Sequence, residues 1–395
     1  MTSTLKPTNI SDVRDALAWA NDAGRTIETR GGGTKASMGR PGRAHTVLDM
    51  SAFAAVIDYD PRELVLTVGA GARLTDVEDV LATENQMLAF EPFDHGPIFG
   101  LPAGQATVGG IVAANVSGSR RLSAGSVRDH VLGFEGVSGR GEIFKGGGRV
   151  VKNVTGYDLP KLLTGSWGRL AALTAITFKV LPRPRVNTTV ILRNLSDENA
   201  ATVMAQAMGS AAEVSGAAHT PALAGRPATT ALRLEGFETS VTARVETLRS
   251  LQHPHGAIEL LEMENSRAFW RRLRDLEPLD AGNHDWLLWQ INGRPTTAWK
   301  AATAFAVKGA RWFSDWAGGL IWLAVPPGTD PMDVRHTVAR AGGHATLIRA
   351  RETVRAKVPL LHPQPFAVEA LAARVKAAFD PNGILDPDRF AGSES

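Results

Sequence analysis

The sequence predicts an α+β fold in at least two domains, on three observations. Hairpin-type strand pairs are mixed with helices in the first half, which argues against a parallel, doubly wound sheet. The composition shifts along the chain, since residues 1–184 hold 25 of the 40 glycines and residues 270–322 hold seven of the nine tryptophans. The length of 395 residues, at roughly 150 per domain, asks for two or three units with real cores. The break falls at Leu181-Pro182-Arg183-Pro184, because two prolines two apart continue neither a helix nor a central strand. The expected domains are 1–184 and 185–355, followed by a C-terminal helix and tail, 356–395. No internal repeat shows in the sequence.

Each element has a local reason. Ser11 is read as the cap of a helix carrying Val13, Leu17 and Trp19-Ala20 on its apolar side and closed by Gly24. A short strand over 27–30 runs into Gly31-Gly32-Gly33, and another covers 64–68. Thr75-Asp76-Val77-Glu78 reads as a capping box for a helix to about Thr83. Segments 131–137 and 142–145 flank Ser138-Gly139-Arg140-Gly141 as an antiparallel hairpin. A short helix over 160–163 and a long apolar strand over 170–181 close the first half. In the second half, strands are expected at 188–192, 230–234, 285–291 and 320–325. Helices are expected there at 197–208, 241–251, 266–276 and 334–340. That order suits a ferredoxin-like sandwich. An amphipathic helix spans 366–379 before the turn Asp380-Pro381-Asn382-Gly383.

Composition excludes several chemistries. With no cysteine, the chain alone can supply no disulfide, thiolate nucleophile, Cys-ligated zinc or iron–sulfur cluster. The balance of 43 Lys+Arg against 40 Asp+Glu is only +3, and no basic block occurs, so nucleic acid is not an expected partner. The first residues lack the apolar run of a signal peptide, and no stretch approaches the ~18 apolar residues of a membrane span. A soluble, cytoplasmic protein is the expectation.

Three groups of motifs carry chemistry. Arg30-Gly31-Gly32-Gly33-Thr34-Lys35 follows a strand, and its glycines let successive N–H groups turn inward as a nest. A diphosphate fits there, with Thr34 adding a hydroxyl and Lys35 a charge; a flexible loop is the competing reading. Gly100-Leu101-Pro102-Ala103-Gly104 and Thr107-Val108-Gly109-Gly110, continuing to Asn115 and Gly118, are dominated by small residues. Backbone of that kind can lie flat against a planar group, or can serve tight helix packing. The third group is a series of glycine-bearing turns: Gly125-Ser126-Val127-Arg128-Asp129, Lys152-Asn153-Val154-Thr155-Gly156-Tyr157-Asp158, and Gly165-Ser166-Trp167-Gly168. Singly these are turns. No Walker loop exists, since no Gly-Lys pair occurs, and Gly69-Ala70-Gly71 lacks the third glycine of a dinucleotide fingerprint.

In this order, ending at a Pro-Arg-Pro linker, the motifs resemble the FAD-binding domain of the vanillyl-alcohol oxidase / p-cresol methylhydroxylase (PCMH-type) superfamily. The closing segment Phe379-Asp380-Pro381-Asn382-Gly383-Ile384-Leu385-Asp386-Pro387 is similar to that superfamily's C-terminal signature, and the likeness is closer still to the FAD-binding subunits of bacterial glycolate oxidases. The resemblance implies a two-part flavin domain, a ferredoxin-like cap over the flavin ring, and a tail that returns to the flavin domain. Carried over by position, Arg30, Gly31, Gly32, Gly33, Thr34 and Lys35 would hold the diphosphate. Thr107, Gly109, Gly110, Asn115 and Gly118 would line the flavin, Ser126 and Asp129 would stand in the next turn, and Gly168 would reach the adenine end. Covalent members often carry a histidine in the glycine nest; here Thr34 and Lys35 stand there, so noncovalent FAD is expected. Many relatives have Asn-Pro-Gly where this chain has Asp386-Pro387-Asp388. No metal site is expected, and His253-Pro254-His255 is read as surface.

Oxidising a 2-hydroxy acid needs a base, a cation for the carboxylate and a flavin to take the hydride. The candidates are Tyr157 and His344 as bases, with Arg128, Arg120 and Arg121 as cations; each also has a purely structural reading. Three functions stay open: an FAD subunit of a multi-subunit glycolate or related 2-hydroxy-acid dehydrogenase, an FAD-carrying electron-transfer or assembly subunit whose chemistry lies on a sister chain, or a stand-alone flavin oxidoreductase. The implied partners are a second FAD subunit and an iron–sulfur subunit, which could hold the complex at the inner face of the membrane. The basic, aromatic helix Ser266 to Arg274 is the expected contact.

Overall fold

A computed structural model describes residues 3–42, 44–149, 156–279, 284–385 and 389–390. The chain forms two compact units. The first comprises residues 1–117, 125–182 and 363–395; the second comprises 118–124 and 183–362.

The first unit is itself two-part. A parallel three-stranded sheet orders Ser3–Leu5, Thr46–Asp49 and Ile27–Arg30 side by side. An antiparallel five-stranded sheet orders Val56–Asp60, Val65–Gly69, Ala171–Lys179, Val131–Ser138 and Ile143–Gly147. The helix Ile10–Asp22 buries Val13, Leu17 and Ala20 in a core shared with Ile27, Leu48, Val137, Ala172, Ile384 and Leu385. Its cap is Asn9, whose side chain accepts from the Asp12 amide at 3.0 Å, and not Ser11. The helix Leu74–Thr83 begins without a side-chain cap: the Thr75 hydroxyl turns to the Asp76 carboxylate, so the expected capping box does not form.

The C-terminal turn belongs to this unit. The carboxylate of Asp380, a buried residue, accepts the amides of Ile384 and Leu385 at 3.0 and 2.8 Å and pairs with Lys376. Ile384 then accepts from the Ile27 amide at 2.7 Å, which fastens the tail to the strand leading into the glycine nest. Gly139 is required beside it, because a Cβ there would lie 2.5 Å from the Asp380 side chain. Asp386 and Pro387, the end of the proposed signature, lie outside the described residues.

The second unit holds a duplication that the sequence reading missed. Val186–Arg193, Asp197–Met208, Gly216–Thr220, Thr229–Gly236, Glu238–Gln252 and Glu259–Glu262 run strand, helix, strand, strand, helix, strand. Leu287–Asn292, Ala298–Ala306, Arg311–Asp315, Leu320–Val325, Pro331–Arg340 and His344–Arg349 repeat that order. The two ferredoxin-like halves form one eight-stranded sheet, meeting where His219 of Gly216–Thr220 pairs with Ser314 of Arg311–Asp315. Each half has its own core, the first around Val190, Met204 and Leu232, the second around Trp289, Phe305 and Leu323. The expectation of one sandwich without a repeat is thereby corrected to two.

Between the halves lies the basic helix, Met263–Arg274. Its Trp270 is buried and donates to the Thr189 hydroxyl at 2.8 Å, while Arg271 pairs with Glu264 and Arg272 with Glu277. No helix of the described residues is long and apolar enough to cross a membrane.

Candidate cofactor site

The site is a narrow cleft in the first unit, with a cavity volume of about 80 Å³. It is lined by Gly31 of the nest, by Thr107, Gly109 and Gly110 at the start of the helix Val108–Ala114, and by Gly168 with Ser166 and Trp167. Thr29, Met50, Ala70, Ala113, Leu163, Ala171 and Leu173 complete the wall. Three segments far apart in sequence thus converge, and glycine makes the approach possible. A Cβ on Gly31 would lie 2.3 Å from the Thr107 hydroxyl, one on Gly32 would lie 1.5 Å from the Gln105 carbonyl oxygen, and one on Gly109 would lie 2.6 Å from the Ala70 carbonyl oxygen. The turn carrying Gly168 is fixed to the same helix, since the Gly165 and Trp167 amides donate to the carbonyls of Val112 and Ala113 at 3.0 and 2.8 Å.

Gly168 and Gly110 show what the cleft can take. At Gly168, which has φ +74°, no atom lies within 4 Å of the Cβ position, and at Gly110 nothing lies closer than 3.5 Å. The Gly168 backbone therefore presents a side-chain-free surface to whatever enters, while Gly110 abuts the Thr107 hydroxyl and the Lys35 ammonium.

The Lys35 ammonium nitrogen is enclosed beside this wall, 3.8 Å from the Cβ position of Gly110, and has no hydrogen-bond partner. Burial pushes its pKa down to about 8, with the Asp94 carboxylate acting the other way. His95 is also buried, stacked on Phe93 at 4.5 Å; burial first, then the Lys35 charge, holds its imidazole well below the usual histidine range. An anionic group in the cleft would supply the acceptor that Lys35 lacks. The glycine walls and this orphaned cation fit the FAD that the resemblance implies.

Other sequence candidates have structural duties. Arg30 pairs with Glu28 at 2.9 Å. Gly33, with φ +71°, turns the nest, and Thr34 is buried. Asn115 ends the helix Val108–Ala114 with φ 51°, and its side chain accepts from the Arg128 amide at 3.4 Å. The Asp129 carboxylate accepts from the Ser126 amide and hydroxyl at 2.8 and 2.9 Å. Burial alone would raise that carboxyl, but these bonds together with the His130 and Lys161 charges leave it below its ordinary value. Gly118 belongs to the second unit, where its carbonyl accepts from the Trp316 indole at 3.0 Å. In the same segment Arg120 pairs with Glu235 at 2.8 Å, and Arg121 lies over the Trp316 ring at 4.2 Å.

The candidate bases are not in the cleft. Tyr157 is 90% exposed, Arg128 is exposed, and His344 is an exposed residue of the second unit facing His362 at 5.1 Å. Lys152 to Thr155 lie outside the described residues. The sequence reading missed Asp94, which organises the approach to Thr107 by accepting the amides of Gly96, Gly104, Gln105 and Ala106 at 2.7 to 3.4 Å. The signal was an acidic residue just ahead of a glycine- and proline-rich loop.

Comparison with known proteins converges on this region. The family model described as an FAD binding domain matches residues 2–147. The chain is 35% identical over 362 residues to the glycolate oxidase subunit GlcE of Escherichia coli, covering 91% of each chain. It is 34% identical over 181 residues to a D-lactate dehydrogenase of Archaeoglobus fulgidus, covering 46% of this chain and 39% of that one. Among solved structures, alkyldihydroxyacetonephosphate synthase superposes with a TM-score of 0.69 at 15% identity, covering 97% of this chain and 76% of that one, which shows a shared fold.

Proposed function

This chain belongs to the FAD-binding family of the glycolate oxidase subunit GlcE, and from that membership we propose that it is the FAD-carrying subunit of a 2-hydroxy-acid dehydrogenase. The observation that carries the reading is the convergence of Gly31, Thr107, Gly109, Gly110 and Gly168 on one cleft beside an unpaired buried lysine. Bound there, FAD would accept the hydride released when the CH–OH group of a 2-hydroxy acid is oxidised. The chain's own residues would do the holding. Backbone N–H groups of the nest and Lys35 would hold the diphosphate, and the side-chain-free surface at Gly168 would admit a planar ring. Among the described residues lining the cleft none is a cysteine or histidine, which supports noncovalent attachment.

A second reading is favoured by a specific observation. The described cleft residues include no titratable side chain, Tyr157 and His344 are exposed, and Arg120 and Arg121 are engaged elsewhere. That arrangement supports a subunit that carries FAD and passes electrons while a sister chain supplies the base. Such a complex would include a second FAD subunit and an iron–sulfur subunit, because a cysteine-free chain has no inorganic relay of its own.

The test is to purify the chain alone, measure flavin per protein, and follow dye reduction with glycolate and D-lactate. Bound flavin is expected. Turnover by the chain alone supports independent catalysis; flavin without turnover, restored by adding the sister subunits, supports the second reading. Colourless protein that takes up no FAD would overturn both.

A further inference from the structure

We propose that Lys35 couples cofactor binding to proton uptake: the FAD diphosphate becomes the partner of its buried ammonium, so the group is held fully protonated only when the cofactor is in place. This inference rests on the FAD reading above and assigns a specific linkage to one side chain.

The geometry leaves the ammonium incomplete. Its nitrogen is shielded from solvent and makes no hydrogen bond, although an ammonium carries three donors. Leaving such a group buried and unpaired is costly. Asp94 faces it from the neighbouring loop, but the Asp94 oxygens take backbone amides from Gly96, Gly104, Gln105 and Ala106. His95 comes from the same loop and is held neutral. On the nest, Arg30 is bound to Glu28. From the tail, Arg389 donates to the Lys35 carbonyl oxygen and also pairs with Glu28, at 3.4 Å. These groups together offer the ammonium one carboxylate at charge range and no direct acceptor. The nitrogen lies 3.8 Å from the position a Cβ on Gly110 would take, so an anion held over the Gly110 backbone would be within its reach.

The linkage has a definite sign. In the empty protein Lys35 titrates at about 8. An adjacent diphosphate favours the charged form and raises that pKa. FAD affinity is then full below about pH 8 and falls by up to about tenfold per pH unit above it, with uptake of about one proton on binding at high pH.

The experiment titrates FAD into flavin-free protein between pH 7 and 9.5 by fluorescence quenching, with calorimetry in two buffers of different ionisation heat to count protons. Wild type is expected to lose affinity across that range. Lys35→Met should bind at least tenfold more weakly at pH 7, with a flat pH profile and no proton uptake. Lys35→Arg, whose guanidinium does not titrate here, should bind with a flat profile too, and it keeps the test open should the methionine variant fold poorly. ADP should share the wild-type slope, because it carries the diphosphate without the flavin. A wild-type profile retained by either variant, or a flat ADP profile beside a falling FAD one, would overturn the assignment. If wild type binds no FAD at any pH, it is the FAD reading that fails.

Discussion

Removing the Glu235 charge should cost the second unit a large, pH-dependent share of its stability. Glu235 is 8% exposed and is the hub of a polar cluster. Arg120 donates to both its oxygens at 2.8 and 2.9 Å, Ser215 and Asn187 donate at 2.7 and 2.8 Å, and Arg233 stands at 3.5 Å. Burial alone would raise its pKa, but the Arg233 and Arg120 charges and these bonds bring it from 4.5 to about 2. A carboxyl whose pKa is depressed on folding contributes stability above its unfolded value, and that contribution is lost as pH falls through the folded value. The gap, at about 1.4 kcal/mol per pH unit, amounts to about 3 kcal/mol at neutral pH, with roughly two-fifths remaining at pH 3. Glu235→Gln removes the carboxylate that faces Arg120 and Arg233 and should cost about 3–5 kcal/mol at pH 7. Seven of the nine tryptophans lie in residues 270–322, so their fluorescence during urea unfolding reports this unit. The difference between wild type and variant should shrink by about 2 kcal/mol between pH 7 and pH 3. An equal difference at both pH values would refute the assignment of the low pKa to this cluster.

Two further predictions concern the first unit. Gly110→Val adds a Cβ at ordinary contact distance from the Thr107 hydroxyl and the Lys35 ammonium, 3.5 and 3.8 Å, so it should stay folded by circular dichroism yet lose at least nine-tenths of its flavin, whereas Gly32→Val should lose both flavin and stability because its Cβ would lie 1.5 Å from the Gln105 carbonyl oxygen. Full flavin content in both variants would contradict the cleft assignment. Asp380→Ala should destabilise the first unit by about 3–5 kcal/mol in chemical denaturation, since it leaves the Lys376 ammonium and the amides of Ile384 and Leu385 without their carboxylate; a loss below about 1 kcal/mol would show that the turn holds itself.

What was legible in the sequence follows from the range of the forces involved. Strands such as Ile27–Arg30 and Leu320–Val325 and helices such as Asp197–Met208 and Phe366–Phe379 follow from local hydrophobic period and turn chemistry, and lie where the spacing predicts. Helix starts failed where two caps competed. Asn9 and Ser11 are both good caps, and only the packing of Val13, Leu17 and Ala20 on Leu48 and Ile384 selects the first. The duplication was hidden because each half needs only apolar residues at equivalent places, not the same ones. Val190 and Met204 fill in one core what Trp289 and Phe305 fill in the other. Glycine positions in the cleft were legible because close backbone approach tolerates nothing larger. Asp94 and the isolation of Lys35 were not, because an orphaned charge is defined by what fails to reach it across the fold.

The polar side chains of the sequence motifs bear on how the cleft can hold an anionic cofactor. Arg30, Asn115, Ser126 and Asp129 all look like ligand contacts in a motif, yet each is bonded to another part of the protein. Their work is to fix the loops at 30–35 and 115–129, and a substitution there acts on loop geometry before it acts on any ligand. What remains for recognition is backbone, one lysine and the hydroxyls of Thr29, Thr107 and Ser166 on the cleft wall. A site of this kind should respond to substitutions in a definite order. Added volume at Gly110 should abolish binding, loss of charge at Lys35 should weaken it and flatten its pH profile, and Asn115→Ala should weaken it only to the extent that the 115–129 loop loosens. If Asn115→Ala proved as damaging as Gly110→Val while hydrogen exchange in that loop stayed unchanged, Asn115 would be touching the ligand directly, and the account of a backbone-built site would be wrong.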